Sequence, residues 1–190
     1  MIQGKALYTY SIIINIIVDF DEITINDIIS INNNFVNLNT PFDTIRTEMK
    51  CMLLNSYKYL DSALLKSISG SLSMLKSNSP CEDYTGHVAG MFKGLEGYLK
   101  KVLDQKYGMK FSKDAKFSMF HKDKNGQSDI DKDSSIPTDA KKELNNLYSI
   151  YKNKRNIILH AKIDPSQTRI IETMQEAKDL AKEILDAIEI

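Results

Sequence analysis

The sequence predicts a mainly α-helical fold. In several long segments after Pro41, apolar residues recur at intervals of three and four, the spacing that places side chains on one face of a helix. Residues that end helices separate these segments, namely Ser79-Pro80, Gly108 and Asp164-Pro165. In segment 81–107, for example, the apolar face consists of Val88, Met91, Phe92, Leu95, Leu99 and Val102.

Helices are expected over residues 41–54, 55–76, 81–107, 138–162 and 169–190. Thr40 and Thr138 are suited to cap the helices that they precede, and Pro41 is suited to the first helical turn. Gly108 is a typical residue just beyond a helix end. Gly70 lies inside a predicted helix, where glycine is a weak point that could divide it.

Some extended structure is expected before and between these helices. Residues 1–10 alternate in polarity as a strand does, residues 11–20 fit either a strand or a buried helix, and residues 32–41 have the composition of a linker. A short hairpin is expected in the 110–120 region, before the turn signal at 123–126. We therefore expect an N-terminal segment over residues 1–38, which is either the end of an upstream domain or a dimer-pairing element, and a main domain over residues 39–190.

Composition excludes several classes of protein. The chain carries 25 basic and 25 acidic residues, so a nucleic-acid partner would need a local concentration of positive charge. Two cysteines without paired spacing, and apolar runs shorter than the roughly 20 residues that span a bilayer, favour a cytoplasmic protein without membrane association. The three histidines form no zinc motif, and no phosphate-binding glycine loop is present. The sequence thus predicts no metal and no cofactor.

One motif has the residue types for acid–base chemistry on a phosphodiester. In Arg155-Asn156-Ile157-Ile158-Leu159-His160, Asn156 and His160 lie about 40° apart around a helix, and the long Arg155 side chain can reach the same face. Histidine can move a proton near neutral pH, arginine matches phosphate oxygens, and asparagine can orient the imidazole or the phosphate. This suits RNA cleavage by attack of the 2′-hydroxyl, without a metal. Spacing alone favours another interpretation, in which Arg155 and Asn156 cap the end of a helix and His160 is a surface residue.

The motif, near the end of a long helix in a helical domain, resembles the HEPN superfamily of ribonucleases. A second segment, Met91 to Lys100, is similar to the upstream helix of the RNase LS toxins of the RnlA type. That resemblance implies a basic residue and a glutamate at Lys93 and Glu96, facing the Arg155–His160 helix, with Glu96 paired with Arg155 or Lys100. The family favours arginine at the first position, so Lys93 is a departure that keeps the charge and loses the bidentate geometry.

The resemblance also implies a biological setting. Residues 2–7 resemble the end of the middle domain of that family, which makes this chain the C-terminal part of a longer toxin. The expected activity is cleavage of mRNA, the expected partners are a cognate antitoxin and a phage-encoded inhibitor, and the expected state is a homodimer with facing motifs. Gly86, Gly90 and Gly94 form a ridge that fits close packing either between copies or within one chain.

Local charge agrees with an RNA ligand. Segment 91–124 has nine lysines and four acidic residues, and the charged residues of segment 152–162 are all basic. Segment 172–190, in contrast, has six acidic residues and two lysines. We expect RNA contacts from Lys100, Lys152, Lys154 and Lys162. Two alternatives remain open. One is a catalytically silent HEPN-like module that dimerises or binds an antitoxin. The other is the HEPN half of a nucleotidyltransferase pair, against which Lys162 counts because a tyrosine is typical there.

Overall fold

The chain folds as a set of packed helices with one small β-hairpin. The structure, a computed structural model, describes residues 3–35, 41–76, 81–111, 117–122, 128–130, 136–159 and 169–189. The elements in chain order are α1 (Gln3–Ile17), α2 (Ile25–Phe35), α3 (Phe42–Met52), a 3₁₀ turn (Tyr57–Tyr59), α4 (Ser62–Met74), α5 (Thr85–Tyr107), β1 (Phe120–Lys122), β2 (Ser128–Ile130), α6 (Thr138–Ser149), a π-helix (Ile150–Arg155), α7 (Asn156–Ile158) and α8 (Met174–Ile188). The predicted mainly helical fold with a small hairpin is confirmed.

Helices α4 and α5 pack against each other at the centre of the molecule, and glycines permit their close approach. A Cβ atom at Gly90 would lie 2.2 Å from the carbonyl oxygen of Ser67, and one at Gly94 would lie 2.6 Å from Ile68. Both distances are far inside van der Waals contact. The glycine ridge therefore serves packing within the chain at these positions. Gly70 does not divide α4, which runs unbroken from Ser62 to Met74.

The remaining helices complete a core around α5. Helix α8 buries Leu180, Ile184 and Ile188 against it, while α6 contributes Leu144 and Leu147. Helix α5 ends where predicted, at a glycine (residue 108) with a left-handed φ of 69°. Because this geometry is inexpensive only for glycine, it fixes where the long helix stops.

The N-terminal segment is helical, which corrects the extended segment expected for residues 1–10 and settles the ambiguity at 11–20. Ile14 and Val18, four residues apart, are buried with Ile28 of α2 in a small apolar cluster. The helix places these two side chains one turn apart on the face that meets α2, and burial of that face overrides the strand-like local pattern. The expected linker is also wrong for residues 32–35, which belong to α2, where Asn32 donates to the carbonyl oxygen of Gly70 (2.9 Å). The division at residues 38 and 39 stays a prediction.

The hairpin pairs β1 and β2 in antiparallel register, with Phe120 opposite Ile130. Its strands follow, rather than fill, the predicted 110–120 region, and they are fixed to α6 through Asn145. That side chain accepts from the backbone N–H of Ile130 (2.8 Å) and donates to Asp129 (2.9 Å). The hairpin thereby lies beside the helix that leads into the Arg155 motif. Across the described ranges, none of the helices combines the length and apolarity needed to cross a bilayer.

Candidate functional site

The site begins with two charged residues one turn apart on α5. The Nζ atom of Lys100 lies 2.6 Å from Oε1 of Glu96, an i,i+4 pair with both side chains about three-quarters buried. This partial burial reduces screening by solvent compared with a fully exposed pair. Lys100 contacts only one carboxylate oxygen of Glu96, so the second oxygen can meet another neighbour.

Arg155 reaches that second oxygen from the end of the π-helix. Its Nε atom lies 3.9 Å from Oε2 of Glu96, which brings together two motifs that are far apart in sequence. Glu96 thus contacts both Lys100 and Arg155, the two residues that the sequence offered as alternative partners. At 3.9 Å the contact with Arg155 is an ion pair without the short geometry of a hydrogen bond.

The helix that carries Arg155 departs from α-helical geometry just before the motif. Residues Ile150–Arg155 form a π-helix, a rare conformation that occurs often at functional sites. Because each π turn accommodates an extra residue, the segment changes the face on which Arg155 emerges relative to α6. Helical structure predicted over 138–162 is present up to residue 158. The π-helix nevertheless changes which face of the helix each later side chain occupies.

Tyr151 joins the two halves of the site, a role that the sequence analysis did not predict. Its hydroxyl is hydrogen-bonded to Glu96, and the Cζ atom of Arg155 lies 5.3 Å from the centre of its ring. Burial raises the pKa of Tyr151 to about 12, and the negative charge of Glu96 acts in the same direction. The hydroxyl thus stays protonated and donates to the carboxylate. Its spacing of four residues from Arg155 is the sequence signal that could have identified it.

Lys93 faces a different neighbour from the one expected. Its Nζ atom donates to the backbone carbonyl oxygen of Asn15 and to the carboxylate of Asp19, both at 2.8 Å. Its contacts therefore lie on the N-terminal helix and the turn after it, not on the Arg155 segment. The orientation predicted for Lys93 is corrected, because docking of α1 beside α5 supplies two acceptors at this position.

The other predicted site residues are distributed around the Arg155 segment. Lys152 lies over the ring of Tyr148, 5.4 Å from its centre, while Lys154 pairs with Glu183 of α8. Asn156 is exposed and has no hydrogen-bond partner in the described part of the chain. His160 and Lys162 lie outside the described residues, so the predictions made for them stay predictions.

An aromatic cluster borders the site. Phe117 meets Tyr148 and Tyr151 with ring centres 5.4 and 5.2 Å apart, and Lys100 lies 5.6 Å from the centre of the Phe117 ring. Cations over aromatic faces are favoured when water is partly excluded. Within the described ranges, no three His, Cys, Asp or Glu side chains converge in a way that could hold a metal ion.

The structure thus defines a helical protein in which an arginine and a lysine on two adjoining helices share one glutamate. The model of the family "RNase LS, bacterial toxin DBD domain" matches residues 42–162, which include both helices of the site. The chain belongs to this family.

A solved structure supports the same fold over nearly the whole chain. The protein is similar to the Escherichia coli toxin LsoA, crystallised in complex with the T4 phage antitoxin Dmd, with a TM-score of 0.74 and 20% sequence identity. The alignment covers 96% of this chain and 71% of the LsoA chain. Among curated proteins, none matches the sequence significantly. The fold similarity therefore includes α1 and α2, which precede the family match.

Proposed function

We propose that the chain is a metal-independent endoribonuclease with a HEPN-like fold, acting in the cytoplasm as the C-terminal part of an mRNA-cleaving toxin of a type II toxin–antitoxin system. The observation that carries the proposal is the contact between Glu96 and Arg155, because it joins the two segments on which the resemblance rests. Membership of the RNase LS toxin family supports the choice of RNA as substrate.

In the proposed reaction the RNA supplies its own nucleophile. His160 takes the proton from the 2′-hydroxyl, the 2′-oxygen bonds to phosphorus, and the bond to the 5′-oxygen breaks as that oxygen receives a proton. Arg155 stabilises the charge on the phosphorane-like transition state, and Asn156 orients the imidazole or the phosphate. The products are a 2′,3′-cyclic phosphate and a 5′-hydroxyl. Glu96 holds Arg155 in place from the neighbouring helix.

The basic side chains around this centre are proposed to hold the RNA backbone. Lys100 and Lys152 adjoin the site, and Lys162 follows the motif in sequence. Lys154 is proposed as a contact that exchanges its partner on α8 for a phosphate. Lys93 lies on the same side of α5 as Lys100, two turns earlier, so it is proposed to meet a flanking phosphate.

The partners proposed are a second copy of the chain and an antitoxin. One motif offers one histidine, whereas cleavage uses a base and an acid, so two facing motifs supply both groups. The similarity of this fold to that of LsoA, a toxin crystallised with a phage antitoxin, supports a protein inhibitor as partner. Mixing Arg155→Ala with His160→Ala should restore cleavage if the cleft is shared between copies. Continued inactivity of the mixture, once dimers are seen by ultracentrifugation, counts against a shared cleft.

The decisive experiment is incubation of the purified protein with RNA in EDTA. We expect wild type to leave 2′,3′-cyclic ends, and Arg155→Ala and His160→Ala to lose about 100-fold or more in rate. Arg169→Ala and His121→Ala are matched controls, because both side chains are exposed and lie outside the site. Cleavage that stops on chelation and returns with Mg²⁺ would reject this mechanism.

A second candidate function is a catalytically silent module that dimerises or binds an antitoxin. The observation that favours it is the engagement of Lys93, at the basic position of the family pattern, by Asp19 and the Asn15 carbonyl. Under this hypothesis the protein binds an antitoxin but leaves RNA intact at every concentration tested. Wild-type cleavage in EDTA that depends on Arg155 excludes it.

A further inference from the structure

The Glu96 carboxylate is shared among three neighbours, and their arrangement is unequal. Lys100 lies 2.6 Å from Oε1, whereas the Nε atom of Arg155 lies 3.9 Å from Oε2. The Tyr151 hydroxyl is hydrogen-bonded to the same carboxylate. A carboxylate and a guanidinium left to themselves favour a short bidentate contact. The long Arg155 separation therefore coincides with two other partners of the Glu96 carboxylate, Lys100 and Tyr151.

Tyr151 makes a second contact with the arginine through its ring. The guanidinium carbon lies 5.3 Å from the ring centre, within the range of a cation–π interaction. Tyr151 is itself held by Phe117, whose ring centre is 5.2 Å away, and it is partly buried. One side chain thus contacts both members of the ion pair, with its hydroxyl on Glu96 and its ring under Arg155.

The π-helix accounts for this double contact. Tyr151 and Arg155 both belong to the segment 150–155, whose altered phase turns the pair toward α5 together. No other π-helical segment occurs among the described residues, so this local geometry coincides with the site.

We propose that Tyr151 is a positioning residue that sets the separation of Glu96 and Arg155 and thereby fixes the arginine for its phosphate ligand. The hydroxyl occupies a lone pair of Glu96 that Arg155 would otherwise take, and the ring limits the directions in which the guanidinium can tilt. Its raised pKa keeps the hydroxyl a donor across the physiological range. This inference rests on the proposed function for the identity of the ligand, but the positioning itself is a property of the protein alone.

The test exploits the small number of arginines in the chain. There are three, Arg46, Arg155 and Arg169, so the Nε–Hε region of a nitrogen–proton NMR spectrum is simple, and Arg155→Lys assigns the site signal. We expect Tyr151→Phe, which removes only the hydroxyl, to move the Arg155 Hε signal downfield as Arg155 closes on Glu96. Addition of Glu96→Gln to Tyr151→Phe should remove that shift.

Tyr148→Phe is the matched control. Tyr148 precedes the π-helix and stacks on Phe120 at 4.0 Å, and among the described residues its ring contacts are aromatic or with Lys152. It should leave the Arg155 signal in place. Thermal unfolding of both variants, followed by circular dichroism, establishes that each is folded at the temperature of measurement. An Arg155 signal that responds equally to the two tyrosine variants would overturn the positioning role.

Kinetics provide the second measurement. For a cleavable RNA, Tyr151→Phe should lower kcat about tenfold, a smaller loss than full misplacement of a catalytic group, with little change in KM. Tyr148→Phe should leave both constants near wild type. Equal constants for all three proteins would overturn the inference. If wild type cleaves no RNA, the proposed function fails, and the Arg155 signal decides the positioning role by itself.

Discussion

His87, one of the two histidines among the described residues, predicts a specific loss of stability in mild acid. It lies in the first turn of α5, is fully buried, and neither ring nitrogen has a hydrogen-bond partner in the described structure. Burial lowers the pKa of His87 from its ordinary value of 6.5 to about 4, against the opposing effect of the Asp83 charge. The histidine is therefore neutral in the folded protein over a range in which it is charged in the unfolded chain.

The sign of the effect follows from proton binding. The unfolded chain takes up a proton at His87 as the pH falls through 6.5, and the folded protein does so only near pH 4. The unfolding free energy is unaffected by this residue above pH 6.5 and falls progressively between the two pKa values. At about 1.4 kcal/mol per unit of pKa, a shift of this size corresponds to a loss of about 3 kcal/mol. For a domain of this length, that is a large part of the total stability.

The assay is urea unfolding followed by circular dichroism, between about pH 7.5 and about pH 4, for wild type and His87→Phe. The variant removes the titrating group and keeps an aromatic ring. Between these two pH values it should therefore lose about 3 kcal/mol less unfolding free energy than wild type. Near pH 7.5 it should be as stable as wild type or more so, because an unpaired buried polar group has been removed. His121→Gln, on the exposed strand, should keep the wild-type profile. Parallel profiles for wild type and His87→Phe would refute the reasoning.

The remaining predictions concern packing and the orientation of Lys93. Gly90→Ala should destabilise the protein by about 1–3 kcal/mol in urea unfolding, because the added Cβ meets the Ser67 backbone at 2.2 Å. Gly97→Ala should cost less, since its closest contacts are to a leucine side chain that can move, and equal losses would contradict the argument. Glu189→Gln should lower the unfolding free energy by about 1–2 kcal/mol, because the Glu189 carboxylate accepts hydrogen bonds from two backbone N–H groups and a serine hydroxyl just before the 3₁₀ turn. An unchanged midpoint of urea unfolding would contradict this. Lys93→Met should clearly lower the hydrogen-exchange protection of α1 and change the rate of RNA cleavage only slightly. A large loss of cleavage with unchanged protection of α1 would assign Lys93 to the reaction.

The helical periods of the sequence were sufficient to predict the main domain. Helices α5 and α8 follow their apolar stripes but begin later than predicted, at Thr85 and Met174, and Gly108 ends α5 as predicted. The first helix could not be predicted in this way, because alternation and a run of β-branched residues are local signals for a strand. What makes it helical is burial of Ile14 and Val18 against α2, a tertiary effect that no window of sequence contains.

The site was predictable in part, and for a physical reason. Spacing along one helix predicts the Glu96–Lys100 pair directly. The contact of Glu96 with Arg155 joins two helices, so only the family resemblance could suggest it. The role of Tyr151 and the orientation of Lys93 depend on the phase of a π-helix and on the docking of α1. Neither quantity is encoded in the spacing of the residues concerned.

The pairing of charges explains how a chain with no net charge can present a positive site. Several lysines elsewhere pair one to one with acids: Lys76 with Glu48, Lys101 with Asp61, and Lys154 with Glu183. At the site, Lys100 and Arg155 share the single carboxylate of Glu96, so two cations meet one anion on a partly buried surface. The charges of these three side chains sum to +1, which an approaching phosphodiester of charge −1 would balance. Neutrality of the whole chain therefore does not count against the proposed RNA substrate, because the field at the site depends on how charges are paired there and not on their total.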